Sequence, residues 1–128
     1  MAGVVSGGGA SPVRARRVLV VDDNQSVAHA LKRILETQGH AVAVAYDGPD
    51  ALRSASEFLP DIALVDIGLP KMDGYELARR LREQGQMRLV AISGYNRSDE
   101  SARPIGFDEY LVKPVGAARL KTILDGLA

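Results

Sequence analysis

Val18-Leu19-Val20-Val21, Ile62-Ala63-Leu64-Val65 and Leu89-Val90-Ala91-Ile92 are among the stretches of this 128-residue chain that are apolar at every position. A strand that alternates apolar and polar residues lies on a sheet with one wet face. A short run with no polar position reads instead as a strand covered on both faces, which points to a parallel sheet packed between helices. The middle run delivers a carboxylate, Asp66, to its end before the chain breaks through Gly68 and Pro70. Asp66 is therefore expected to sit exposed at the carboxyl tip of a buried strand, where open α/β sheets carry their chemistry. Taken alone, an Asp in that position reads more readily as a turn former or helix cap.

The segments between the runs have helical periodicity. After Asp22-Asp23-Asn24, the residues Val27, Leu31, Ile34 and Leu35 recur on one helix face up to Gly39. Ala41 to Tyr46 reads as a strand, and Asp47-Gly48-Pro49 opens a second helix whose Ala51, Leu52, Ala55 and Phe58 face the core until Pro60 ends it. Asp73-Gly74-Tyr75-Glu76 has the form of an N-cap with an acidic residue three positions on, after which Leu77, Ala78 and Leu81 point inward and Arg79, Arg80 and Arg82 to solvent. Tyr110-Leu111-Val112 is a fifth strand ending in Lys113-Pro114, and Leu120, Ile123, Leu124 and Leu127 stripe a last helix. Five strands alternating with helices predict a doubly wound α/β sandwich with right-handed crossovers. The pattern falters from Tyr95 to Gly106, where Ala102 and Ile105 are the apolar candidates and Pro104 intervenes. A helix there would be about two turns at most and poorly anchored, with weak amide-exchange protection expected from Ser98 to Ile105.

Composition narrows the function. A chain of this length with 46% hydrophobic residues suits one domain with a single core. Met1 to Pro12 is rich in Gly, Ala and Ser, so residues 1–15 read as a disordered tail and 16–128 as the domain, with Arg14, Arg16 and Arg17 as a solvated flank. Sixteen basic residues cancel sixteen acidic ones, which argues against direct binding to nucleic acid. With no cysteine, disulfides, thiolate metal sites and thiol nucleophiles are excluded. No apolar stretch approaches the roughly 20 residues of a membrane helix, and the N-terminus lacks the layout of a signal peptide. A soluble, cytoplasmic protein is expected, with no membrane partner.

Chemistry gathers at the strand ends. Asp22 and Asp23 follow the first strand, Asp66 the third, Ser93 the fourth and Lys113 the fifth. In a parallel sheet these ends share one edge, so three carboxylates, a hydroxyl and an ammonium converge on one pocket. Individually, Asp22 and Asp23 read as helix caps, Ser93 as a turn residue and Lys113 as a solvated charge; their coincidence is harder to attribute to capping. Two carboxylates ~4 Å apart repel by about 4 kcal/mol at an effective dielectric near 20. Lys113 offsets part of this, and the remainder calls for a cation; an all-oxygen donor set suits Mg²⁺ rather than zinc. These parts match phosphoryl transfer to a carboxylate: an oxygen to attack, and a divalent metal, an ammonium and a hydroxyl or backbone donor for the phosphoryl oxygens. There is no Gly-rich loop with a Lys to cradle a nucleotide. His29, within the first helix, and His40, at its exit, are read as surface residues, so the donor must bring its own activated phosphoryl group.

From about Arg17 to Ala128 the chain resembles the receiver domain of two-component response regulators. The resemblance lies in Val18-Leu19-Val20-Val21-Asp22-Asp23-Asn24, Asp66 with Leu69-Pro70 and Met72-Asp73-Gly74, Ser93-Gly94-Tyr95, and Tyr110-Leu111-Val112-Lys113-Pro114. It implies a flavodoxin-like five-stranded sheet of order 2-1-3-4-5 with about five helices, the one between the fourth and fifth strands being short or irregular. It implies that Asp66 accepts a phosphoryl group from a phosphohistidine on a histidine kinase or histidine phosphotransfer protein. Asp23 would bind Mg²⁺ directly and Asp22 largely through water, with the backbone carbonyl of Gly68 completing the site. Lys113 would pair with the phosphoryl group and Ser93 would turn its hydroxyl toward it. Ser93 and Tyr110 would form the switch read by a downstream protein target, since phosphorylation adds about 1.5 to 2 negative charges and three acceptor oxygens. Tyr110 reads otherwise as an edge-strand aromatic covering a helix.

Ile67-Gly68-Leu69-Pro70 and Phe107 to Pro114 are similar to receivers of hybrid sensor kinases, while the chain ends with its last helix, as a stand-alone receiver or an excised domain would. The family implies self-catalysed phosphorylation and dephosphorylation rather than a dedicated enzyme. An aspartyl-nucleophile phosphatase is disfavoured because no carboxylate stands two positions after Asp66, and a flavin module because Asp22 and Asp23 would repel a cofactor phosphate. A receiver-like interaction module that signals without phosphorylation is a further alternative.

Overall fold

The structure, a computed structural model, describes residues 15–68, 74–94 and 106–126. The expectations for the tail, the Asp73 cap, Leu127, and the segment from Tyr95 to Ile105 lie outside these residues. In chain order the elements are β1 (Arg17–Val21), α1 (Gln25–Thr37), β2 (Ala41–Ala45), α2 (Gly48–Phe58), β3 (Ile62–Asp66), α3 (Gly74–Gln84), β4 (Arg88–Ser93), β5 (Glu109–Val112) and α4 (Ala117–Gly126). The strands form one parallel sheet of order β2-β1-β3-β4-β5. This is the flavodoxin-like arrangement, with four helices among the described residues.

The all-apolar runs are explained by the two cores they divide between. Val18 and Val20, with Ile62, Leu64, Val90 and Ile92, pack against Leu31 and Leu35 of α1 and Leu120 and Leu124 of α4. Their neighbours Leu19 and Val21, with Ala63, Val65 and Leu89, pack on the other face against Ala51 and Ala55 of α2 and Leu77 and Leu81 of α3. Successive strand residues point to opposite faces, so covering both faces demands an apolar residue at every position. Small alanines on α2 and in the strands let that helix approach closely. Burying a Val or Leu in full yields about 1.5–3 kcal/mol, and this double layer lets the rim of the sheet carry groups that contribute nothing to packing.

Helix ends differ from expectation in instructive ways. The α1 cap is Asn24, whose Oδ1 accepts the N–H of Val27 at 3.1 Å, and Asp47 caps α2 by accepting from Asp50 N–H at 2.8 Å. Termination of α2 falls on Leu59, which takes a left-handed backbone conformation (φ 55°) one residue before Pro60 and is largely exposed. Phe58, expected in the core, belongs to neither cluster; it lies half-buried beneath the guanidinium of Arg17, 4.1 Å from its ring centre. His29 is exposed and its Nε2 shares a 2.9 Å hydrogen bond with Tyr46 Oη. His40, expected at the surface, is buried: its Nδ1 accepts the backbone N–H of Arg16 at 3.1 Å, closing the turn before β2 onto the lead into β1. Arg82 is more than a solvated charge, since it donates to Met87 O, Gly106 O and Asp108 Oδ2 and so ties α3 to the approach to β5.

Candidate functional site

Each carboxylate at the rim has a backbone reason for its place. β1 runs out at Val21, and Asp22 follows with its N–H still in the sheet, donating to Ala45 O at 3.1 Å. Its Oδ1 accepts the N–H of Asn24 at 2.9 Å, which fixes the turn into α1. Because Asn24 does the capping, Asp22 and Asp23 are spared for the pocket. Asp66 is the last residue of β3, and its Oδ1 accepts the N–H of Gly68 at 2.9 Å. Expected to be exposed, Asp66 is in fact 8% exposed, since β3 lies inside the sheet between β1 and β4. Asp22 is fully buried and Asp23 exposed.

The three carboxylates lie together, with one oxygen from each within 4.8 Å of the others. Lys113, following β5, reaches across: its Nζ is 3.0 Å from Asp22 Oδ2 and 3.3 Å from Asp66 Oδ2. Its own N–H donates to Ser93 O at 2.8 Å, which locks the two strand ends together, and the Lys113–Pro114 bond is cis. Ser93, nearly inaccessible, ends β4 opposite Val112. Tyr110 stands on β5 opposite Ala91, half-buried, and is not part of the carboxylate cluster. A broad concavity of about 1000 Å³ at the other end of the sheet, lined by Arg16, Leu59, Asp61, Arg82 and Arg88, takes no part in this site.

Among the described residues, charge is under-compensated in the pocket, three carboxylates facing one ammonium. Burial pushes the Asp22 carboxyl above its ordinary range; the Asn24 N–H and Lys113 oppose this, and Asp66 adds to it. Burial alone would lower the Lys113 ammonium, but contact with Asp22 and the nearby charge of Asp66 outweigh it and raise its pKa above the usual lysine value. The Lys113 ammonium is thus shared between the two buried carboxylates, Asp22 and Asp66. Three clustered carboxylates, with no nitrogen or sulfur donor among the three residues, fit a hard divalent cation such as Mg²⁺.

The chain matches the family model for the response regulator receiver domain over residues 18–125. It belongs to the response regulator receiver family. The receiver is 40% identical over 111 residues to the transcriptional regulatory protein PrrA of Mycobacterium tuberculosis, a match covering 84% of this chain and 48% of PrrA. To the transcriptional regulatory protein AfsQ1 of Streptomyces coelicolor it is 34% identical over 113 residues, covering 84% of this chain and 50% of that protein. The chain thus spans about half the length of the curated relatives it matches. Among solved structures, a CheY-like response regulator receiver domain from Methylobacillus flagellatus superposes with a TM-score of 0.78 at 31% identity, covering 90% of this receiver and 100% of that chain. Among the described residues, no helix is long and apolar enough to cross a membrane.

Sequence reasoning found every member of the carboxylate and lysine cluster but missed three features. It did not give capping to Asn24, although an Asn directly before an apolar helical stripe is a strong cap signal. It did not bury His40. Nor did it foresee how closely the start of α3 approaches Ile67, for which the sole sequence signal is the glycine at 74.

Proposed function

We propose that this receiver accepts a phosphoryl group on Asp66 from a phosphohistidine of a histidine kinase or histidine phosphotransfer protein, in the cytoplasm, and passes the signal to a downstream protein. An oxygen of the Asp66 carboxylate attacks phosphorus, the P–N bond breaks, and the imidazole leaves with its electron pair and takes up a proton. The product is an acyl phosphate on Asp66; water later cleaves it and restores the carboxylate. The domain assists its own phosphorylation and dephosphorylation and is not a dedicated enzyme.

What carries this reading is the convergence of Asp22, Asp23 and Asp66 with the Lys113 ammonium against both buried carboxylates. Asp23, Asp66 and the carbonyl of Gly68 would hold Mg²⁺, with Asp22 acting largely through water. Such an ion would supply positive charge to the phosphoryl oxygens as negative charge builds on them. Lys113 stabilises the same charge from the β5 side and is already drawn to the position by Asp22 and Asp66. The Gly68 N–H holds one oxygen of Asp66 and so limits the rotation of the acceptor. Ser93 presents its hydroxyl to the phosphoryl group, and its movement, followed by that of the Tyr110 ring, would report the modification.

Incubation of the full chain with a small phosphodonor and Mg²⁺, followed by intact mass measurement, tests this. The expected result is a gain of one phosphoryl group that Asp66→Asn abolishes. A wild-type chain that stays unmodified under conditions that label another receiver would overturn the reading in favour of a module that signals without phosphorylation.

A further inference from the structure

The loop that follows the acceptor closes on itself at its base. Gly74, the first residue of α3, is buried, and a Cβ placed on it would lie 2.6 Å from the Cα of Ile67 and 3.1 Å from both Ile67 Cβ and Cγ2. The first of these neighbours is backbone and cannot swing aside. The Gly74 N–H also faces Ile67 O at 3.4 Å, and Ile67 is anchored from the other side by donating its N–H to Ile92 O at 3.1 Å. Ile67 is therefore wedged between β4 and the start of α3. The next residue along the chain is Gly68, whose N–H holds Asp66 Oδ1 at 2.9 Å.

We infer that Gly74 is a positioning residue for the phosphoacceptor: its lack of a side chain lets α3 seat directly on the Ile67 backbone, and that contact fixes the Gly68 peptide against Asp66. The chain of causes is short. With α3 seated, Ile67 cannot rotate away from Ile92, so the Gly68 N–H stays on Asp66 Oδ1 and Asp66 Oδ2 stays turned toward Lys113. A methyl group at position 74 pries α3 off Ile67 and tilts this peptide, although Gly74 touches neither the acceptor nor the lysine. The inference rests on the reading of Asp66 as the phosphoacceptor in a Mg²⁺ site.

The test compares wild type, Gly74→Ala and Gly85→Ala in the full chain. Gly85 follows the same helix, and a Cβ there meets nothing within 4 Å, so it controls for the loss of a glycine as such. Two quantities are read: Mg²⁺ affinity by titration calorimetry, and the exchange rate of the Gly68 amide by NMR without metal. Gly74→Ala should remain folded, bind Mg²⁺ about tenfold more weakly, a scale typical of losing a group that orients a metal ligand, and exchange the Gly68 amide faster. Gly85→Ala should change neither. A Gly74→Ala protein that only melts earlier, with Gly68 exchange and Mg²⁺ affinity unchanged, would overturn the inference and leave Gly74 a packing residue. Should Gly74→Ala fail to fold, amide exchange in the wild type decides: the Gly68 amide should open no more readily than the buried amides of Leu77 and Ala78 in α3, and Gly68 exchange far faster than theirs would overturn the inference. If the wild type binds no Mg²⁺, the metal reading fails on its own, and the Gly68 exchange rates still decide the role of Gly74.

Discussion

Removing the Lys113 ammonium from the carboxylate pocket should cost stability in a way that acid repairs. In Lys113→Met the side-chain stem is roughly preserved and the charge is lost. Lys113 Nζ lies 3.0 Å from Asp22 Oδ2 and 3.3 Å from Asp66 Oδ2, distances at which each pair attracts by about 5 kcal/mol at an effective dielectric near 20. Much of that repays the cost of bringing the charges out of water, so the attraction itself is not the expected loss. Breaking a buried pair by removing one partner typically costs 3–5 kcal/mol; Lys113 keeps 27% of its side-chain surface exposed, so the lower figure, about 3 kcal/mol at pH 7, applies. The pH dependence has a definite sign. Asp22 already has a folded-state pKa above its unfolded value, chiefly through burial, and loss of Lys113 raises it further. Such a group contributes stability that is fully present below the unfolded pKa and is lost as pH rises through the folded one. The variant should therefore be weakest near neutrality and recover toward the wild type as Asp22 takes up a proton on acidification. Urea unfolding of both proteins at pH 7 and pH 5 measures this. A loss under 1 kcal/mol at pH 7, or a loss equal at both pH values, would refute the placement of Lys113 as the counter-charge of buried Asp22.

Other consequences follow from single contacts. Asn24→Ala removes the acceptor for Val27 N–H and should cost about 1 kcal/mol by denaturant unfolding; no loss would mean that Asp22 or Asp23 takes over the cap. Asp108→Ala leaves the part-buried Leu89 N–H without the 2.8 Å acceptor it has now and releases Arg82, a change expected to cost about 2 kcal/mol and to show as faster exchange of the Leu89 amide. His40 is held below its ordinary pKa of 6.5 by burial and then by Arg16, with Asp125 opposing. Its stabilising contribution is present above pH 6.5 and lost as pH falls through the folded value, because the protonated ring cannot accept the Arg16 N–H. His40→Gln should therefore lose less stability between pH 7 and pH 5 than the wild type does, as followed by urea midpoints.

The fold was legible because covering a strand on both faces leaves an unmistakable mark. Val18 to Val21, Ile62 to Val65 and Leu89 to Ile92 have no polar position, and each divides its side chains between the two cores. The cluster was legible because a parallel sheet brings its carboxyl ends to one edge; that Asp22, Asp66 and Lys113 come into contact there follows from the strand order, in which β1 and β3 are neighbours and the long lysine side chain reaches across the end of β4. What escaped the sequence depends on distances between elements. His40 is a polar residue after a helix, and its burial follows from an acceptor atom meeting the N–H of Arg16, which is 24 positions away. Phe58 has the right helical spacing for the core yet, as the last residue of α2, lies under Arg17. The depth of Asp66 was likewise hidden, since a strand's last residue is exposed or covered according to how far the flanking helices extend past it.

The acidic residues sort themselves by what the backbone asks of them. Asp47 caps α2, Asp61 accepts the N–H of Arg17, and Asp108 accepts that of Leu89 and meets two arginines. Each of these is used up by the fold. Asp22, Asp23 and Asp66 are different: the turn after β1 is capped by the uncharged Asn24, the bond that Asp66 accepts comes from two residues ahead and starts no described helix, and the three carboxylates crowd together where repulsion opposes folding. A local arrangement that works against stability persists where function requires it, and here the violation is specific. The surplus is negative charge, and among the described residues the group that partly relieves it is Lys113, drawn in from the end of β5 and shared between Asp22 and Asp66. A cation would complete that pocket, and a phosphoryl group held beside it would turn the same charges from a liability into a binding site. The strain therefore specifies the kind of ligand that relieves it.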